Sequence, residues 1–167
     1  NAMIIDNSLN NNNMLAEDYF YIALYYQKSY EETKTDSLYN IAYNYYHKAI
    51  SFAKANKQYD RLMRTYCVMS ELIGIKCYNN SDNISKNVLN DISAYIDSAT
   101  TIYPHYGYIN DSIDIKMNEV LYYALKKDFN TAYSQLSSLK NSVYKADVQD
   151  ISFEINLNFI NAIIHEL

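Results

Sequence analysis

The chain has 167 residues, a mass of 19.5 kDa and a net charge of −5, a size that suggests one domain with a core that needs no covalent staples. It holds two Gly and one Pro, where average usage would place about 20. That shortage excludes collagen, Gly/Ser linkers and most all-β designs, whose hairpins need those residues at their turns. Against 12 Lys there are only two Arg, Arg61 and Arg64. The longest basic run is Lys126–Lys127, so the cationic footprint of a nucleic-acid binder is missing and no nucleic-acid partner is expected. The 20 Tyr and 21 Asn follow A/T-rich codon usage, which accounts for much of the Tyr excess without a binding role.

Asn1-Ala2 ahead of Met3 reads as a cloning scar. Residues 3–14 read as a flexible Asn-rich N-terminus, and residues 15–167 as a single helical domain. If Met3 is the native start, a cytoplasmic protein is expected; if a signal or anchor preceded it, an extracytoplasmic one. No run approaches the roughly 18 apolar residues of a transmembrane helix, so no membrane insertion by this segment is expected.

Period-3.6 apolar spacing and stop signals define seven helices in chain order. The first runs from about Leu15 to Ser29, with Tyr19, Ile22, Ala23 and Tyr26 on one face. A loop, Glu31–Thr35, ends at Thr35 or Asp36, either of which can cap the second helix, Ser37 to about Asn56. The third spans Tyr59–Lys76, and Tyr78–Asn83 is the clearest loop. The fourth runs from Ile84 to Ile102 and stops at Pro104, which cannot continue the backbone ladder. After a loop holding Gly107, Asn110 or Asp111 caps the fifth, Ser112–Lys126. The sixth starts after Lys127-Asp128 and runs to about Val143, and the seventh runs from Val148, capped by Asp147.

Chemistry-bearing residues are sparse. His47, His105 and His165 are scattered, and no nucleophile–base spacing, His-Glu-x-x-His or Gly-rich phosphate loop can be written. No catalytic residue, metal site or cofactor is assigned, and no enzyme is expected. Asp111/Asp114 and Asp147/Asp150/Glu154 have the spacing of cation ligands, but also that of helix N-terminal charges favoured by the macrodipole, the reading preferred here. Cys67 and Cys77 would lie about 15 Å apart on one straight helix, too far for a disulfide; two buried free thiols are expected. In Tyr25-Tyr26, Tyr45-Tyr46 and Tyr122-Tyr123, one ring falls on the core stripe and the next about 100° round the helix.

The even helices repeat a pattern of small and large residues: Ala42-x3-Tyr46-x2-Ala49, Ile92-x3-Ile96-x2-Ala99 and Ala132-x3-Leu136-x2-Leu139. The odd helices repeat Tyr19-x2-Ile22-Ala23-x2-Tyr26, Tyr66-x2-Met69-Ser70-x2-Ile73 and Lys116-x2-Glu119-Val120-x2-Tyr123. This resembles the tetratricopeptide (TPR) repeat, a helix-turn-helix unit of about 34 residues. The match is closest over Val120–Leu139, is degenerate, and covers about Ala16 to Val143. Ala23, Ser70 and Val120 stand where the family carries Gly, and the period stretches to 40–50 residues.

The resemblance implies an all-α fold of about seven antiparallel helices in a right-handed TPR-like α-solenoid, three helix pairs plus a C-terminal helix. It implies a protein- or peptide-interaction module, the repeat domain of a bacterial regulator or sensor. The alternatives are a homodimerising structural domain and a small-molecule-sensing one. The family's concave face would carry Phe20, Leu24, Gln27, Arg64, Cys67, Glu71, Met117 and Leu121. There Arg64 could hold a carboxylate bidentately.

Overall fold

The computed structural model describes residues 12–80, 84–145, 158 and 160–164. These residues contain no strand. Six helices follow one another: α1 (Asn12–Thr33), α2 (Asp36–Ala55), α3 (Tyr59–Asn79), α4 (Lys86–Tyr106), α5 (Ile109–Leu125) and α6 (Phe129–Lys145). Residues 160–164 are also helical. The cap expected at Asp147, the carboxylate set Asp147/Asp150/Glu154 and His165 lie outside the described residues.

Periodicity locates the helices; their ends differ. The expected loop Glu31–Thr35 shrinks to Lys34–Thr35, because α1 runs on to Thr33. Thr35 occupies the N-cap position of α2 with extended backbone, yet its side chain makes no capping hydrogen bond. α3 runs past the expected stop at Lys76 to Asn79. Pro104 does not stop α4, which continues to Tyr106. A proline near a helix C-terminus removes only one ladder bond, and the Gly107 amide closes the turn on the Tyr103 carbonyl at 2.9 Å. α5 begins at Ile109, which places Asn110 inside the helix. Asp111 does act at that terminus, its Oδ2 accepting from the Tyr108 backbone N–H at 2.7 Å.

A chain with two glycines must end its helices by other means. Lys34, Lys57 and Lys127 each adopt a left-handed backbone, with φ of 57°, 57° and 63°. Around Lys57, the Gln58 amide reaches the Ala53 carbonyl at 2.9 Å and the Lys57 amide the Lys54 carbonyl at 3.3 Å. Around Lys127, the Asp128 amide reaches Tyr123 at 2.9 Å and the Lys127 amide reaches Ala124 at 2.8 Å. Both are Schellman closures, with lysine where glycine is usual.

Consecutive helices pack on one another, most extensively α1 on α2 and α3 on α4. The odd helices also touch, α1 with α3 and α3 with α5. All nine residues of the even-helix pattern are buried, from Ala42, Tyr46 and Ala49 to Ala132, Leu136 and Leu139. Ala23, Ser70 and Val120 are fully buried on the odd helices. Small residues at such points let helix axes approach closely. Gly74 is another: a Cβ there would lie 2.7 Å from Leu121 Cδ2 on α5.

Ring pairs fix the register of α1 on α2. Tyr19 meets Phe52, Tyr26 stacks on Tyr45, and Tyr30 meets Tyr39. Of the tyrosine doublets, Tyr46 lies in the core and Tyr45 half-buried beside it, while Tyr25 is 69% exposed and Tyr26 half-buried. Tyr122 and Tyr123 are both half-buried. Both cysteines are free thiols; Cys67 is buried, but Cys77 is only half-buried.

Candidate functional site

On α3, Arg61, Arg64, Val68 and Glu71 recur every three or four residues, which lines them along one face. On α5, Asp111, Asp114, Met117 and Leu121 do the same. The contacts of α3 with α1 and α5 turn these stripes toward each other. Together with Phe20 and Tyr21 of α1, and with Ile160, they line a cleft of about 480 Å³. A volume of that order fits a small ligand or a few side chains of a partner.

Both arginines of the chain stand on this cleft, and each already holds a carboxylate. Arg61 Nη2 lies 2.6 Å from Glu17 Oε1, and its guanidinium covers the rings of Phe20 at 4.7 Å and Tyr21 at 5.5 Å. Arg64 Nε donates to Asp111 Oδ1 at 3.0 Å while its guanidinium lies 5.8 Å from the Tyr108 ring centre. Asp111 is thereby fixed on both oxygens, one by Arg64 and one by the Tyr108 amide. Arg64 remains 40% exposed at the rim.

Behind the cleft wall is a polar chain, buried at Tyr46 and Gln27 and half-buried at Glu31 and Glu71. The Tyr46 hydroxyl donates to Gln27 Oε1 at 2.7 Å. Gln27 Nε2 donates to Glu31 Oε1 at 2.9 Å and to Glu71 Oε2 at 3.4 Å. Burial, reinforced by the charge of Glu31, pushes the Glu71 carboxyl up to about 7. Burial together with Glu71 and Glu31 also raises the Tyr46 hydroxyl, keeping it a neutral donor. The Cys67 thiol is raised by burial and then by Asp114, Asp111 and Glu71. Such a thiol is not an activated nucleophile.

Six of the eight residues expected on the concave face line this cleft: Phe20, Arg64, Cys67, Glu71, Met117 and Leu121. Four of them, Phe20, Cys67, Met117 and Leu121, are largely covered and form floor rather than rim. The other two do not line it. Leu24 is half-buried against the core, and Gln27, 2% exposed, acts from behind through Glu71. Sequence reasoning did not place Arg61, Asp111 or Asp114 on this face, although it singled out Asp111 and Asp114 for their spacing. Arg61 lies one turn before Arg64 and was legible from that spacing. The Asp111–Arg64 pair spans 47 residues and had no local signal. The reading of Asp111 as a helix N-terminal charge holds, and the ion pair comes in addition.

No family model, no curated protein and no solved structure matches this chain.

Proposed function

We propose that the domain is a non-catalytic interaction module, a TPR-like right-handed solenoid of antiparallel helices that binds a protein or peptide segment in the cleft between α1, α3 and α5. The observation that carries this reading is the common register of the odd helices. Glu17 meets Arg61 and Gln27 meets Glu71, both 44 residues apart. Arg64 meets Asp111, 47 residues apart, and Gly74 meets Leu121. Partners on both helices rise together, as they do between equivalent helices of successive repeats. On α1 and α2 the partners run oppositely, Tyr19 with Phe52 and Tyr30 with Tyr39, as an antiparallel hairpin requires. Such stacking presents one continuous face, apolar at its floor and charged at its rim, suited to a peptide. A role as the repeat domain of a bacterial regulator or sensor belongs to this proposal.

The test is saturable capture of members of a displayed random-peptide library. Binding should fall at least tenfold in Val68→Glu and Tyr21→Ala, with the helical content of both variants unchanged. Ligands whose binding ignores both substitutions would refute the assignment to this cleft.

A second reading, self-association, is favoured by exposed apolar groups at the connections of α2–α3 and α4–α5. Tyr59 and Tyr106 have ring centres 4.9 Å apart, and Tyr108 and Ile109 are 68% and 62% exposed. A concentration-dependent mass in sedimentation equilibrium, lost in Tyr106→Ser/Ile109→Ser, would support it. A constant monomer mass would dismiss it.

A further inference from the structure

We propose that Tyr59 and Tyr106 form an oxidative cross-linking site: under hydrogen peroxide and a haem peroxidase, a one-electron oxidant, their rings join as a dityrosine that fastens the start of α3 to the end of α4. The site lies outside the α1–α3–α5 cleft and does not depend on the peptide-binding reading. It requires the two rings to face solvent rather than a second copy of the chain.

Two observations single out this pair. Its ring centres are 4.9 Å apart with planes inclined at 33°, the closest approach of two tyrosine rings among the described residues. Both rings are also open to solvent, Tyr59 37% and Tyr106 48% exposed. In every other tyrosine ring pair among the described residues, at least one ring is half-buried or buried.

The packing of α3 on α4 holds the pair together. Tyr59 is the first residue of α3 and Tyr106 the last of α4. Each stands beside a closed turn, the Gln58 amide on the Ala53 carbonyl and the Gly107 amide on the Tyr103 carbonyl, both at 2.9 Å. The backbone is therefore held at both positions, while exposed side chains still turn on the picosecond to nanosecond scale. Only a rotation of the rings separates this contact from an ortho–ortho bond. The most exposed tyrosines lack such a neighbour: Tyr25 meets the half-buried Tyr26, and Tyr108 lies against the Arg64 guanidinium.

The reaction balances on peroxide. Each phenol gives its hydroxyl hydrogen, one electron and one proton, to the oxidised haem of the peroxidase. The two phenoxyl radicals pair their unpaired electrons in a C–C bond between one Cε of each ring. The hydrogens on those two carbons then move to the ring oxygens and restore both phenols. The protein has lost two hydrogen atoms, and one hydrogen peroxide has become two waters. Joining residues so far apart in the chain removes freedom from the unfolded state, as a disulfide does, and should raise the Tm by about 10 °C.

The test treats dilute protein with hydrogen peroxide and a haem peroxidase, followed by dityrosine fluorescence, intact mass and peptide mapping, in wild type, Tyr59→Phe, Tyr106→Phe and Tyr25→Phe. We expect a monomer lighter by two hydrogens, with the peptides of Tyr59 and Tyr106 joined and the Tm about 10 °C higher. Tyr59→Phe and Tyr106→Phe, which keep the rings and lose only exposed hydroxyls, should abolish this product. Tyr25→Phe should form as much of it as wild type. No coupled product, or one that persists in the Tyr59 and Tyr106 variants or maps to other tyrosines, would overturn the site. Covalent dimers through Tyr59 or Tyr106 at every dilution would overturn the intrachain bond and favour self-association through this patch. A coupled monomer with an unchanged Tm would overturn the fastening of α3 to α4.

Discussion

Glu71→Gln should abolish a loss of stability that the wild-type protein suffers as pH rises. The Glu71 carboxyl has a reference value of 4.5 and stands at about 7 in the fold. Between these values the folded chain holds a proton that the unfolded chain has released. Stability from this group is therefore fully present below about pH 4.5 and declines as pH rises through about 7. At 1.36 kcal/mol per unit, the full decline is on the order of 3 kcal/mol, of which about 2–3 kcal/mol falls between pH 5 and pH 8. Its leading cause is burial, with Glu31 second, and the 3.4 Å hydrogen bond from Gln27 opposes both. The variant keeps the shape and carries no charge, so it lacks this term. Urea unfolding followed by far-ultraviolet circular dichroism, from about pH 5 to pH 8, measures both proteins. Other carboxylates titrate in the same window, so the quantity to read is the difference between the two profiles. It should change by about 2–3 kcal/mol in favour of the variant as pH rises. Profiles that stay parallel within about 0.5 kcal/mol would refute the reasoning, because Glu71 would then be ionised or solvated alike in both states.

Tyr46→Phe leaves Gln27 Oε1 without its donor in a buried site, which should cost about 1–2 kcal/mol in urea unfolding; an unchanged midpoint would mean that water takes the place of the hydroxyl. Lys57→Gly and Lys127→Gly relieve a left-handed lysine at each Schellman closure, and each should raise stability by about 0.5–1 kcal/mol, read by the same unfolding curves. In the native protein Cys67, buried and raised well above the usual thiol range, should resist a thiol-disulfide reagent at neutral pH. Cys77, half-buried and pushed up to about 11, should react slowly. Both should react fast in concentrated guanidinium, and a rapid native reaction of Cys67 would show that the α3–α5 wall opens.

The positions of the helices were legible in the sequence because helical burial repeats locally. The nine even-helix residues, Ala42 through Leu139, are buried where the 3.6 period places them. Helix ends were less legible. Lysine carries no turn signal, so Lys34, Lys57 and Lys127 gave no warning of their left-handed geometry, and Pro104 looked like a stop although it falls in a last turn that tolerates it. The candidate site was legible in part. Spacing and resemblance together selected six residues that line the cleft, yet they took Gln27 for a surface group when it is sealed behind Glu71.

Composition and local periodicity by themselves determined that this chain is helical and which stripes of its even helices turn inward, since those depend on neighbours three and four residues away. Only the tertiary structure decided the polarity of the cleft. That polarity depends on which carboxylate reaches which arginine across 44 or 47 residues, and on the setting of half-buried Glu71 among groups from α1, α2 and α5. Ion pairing and desolvation are set by distances between helices, and no local repeat encodes them.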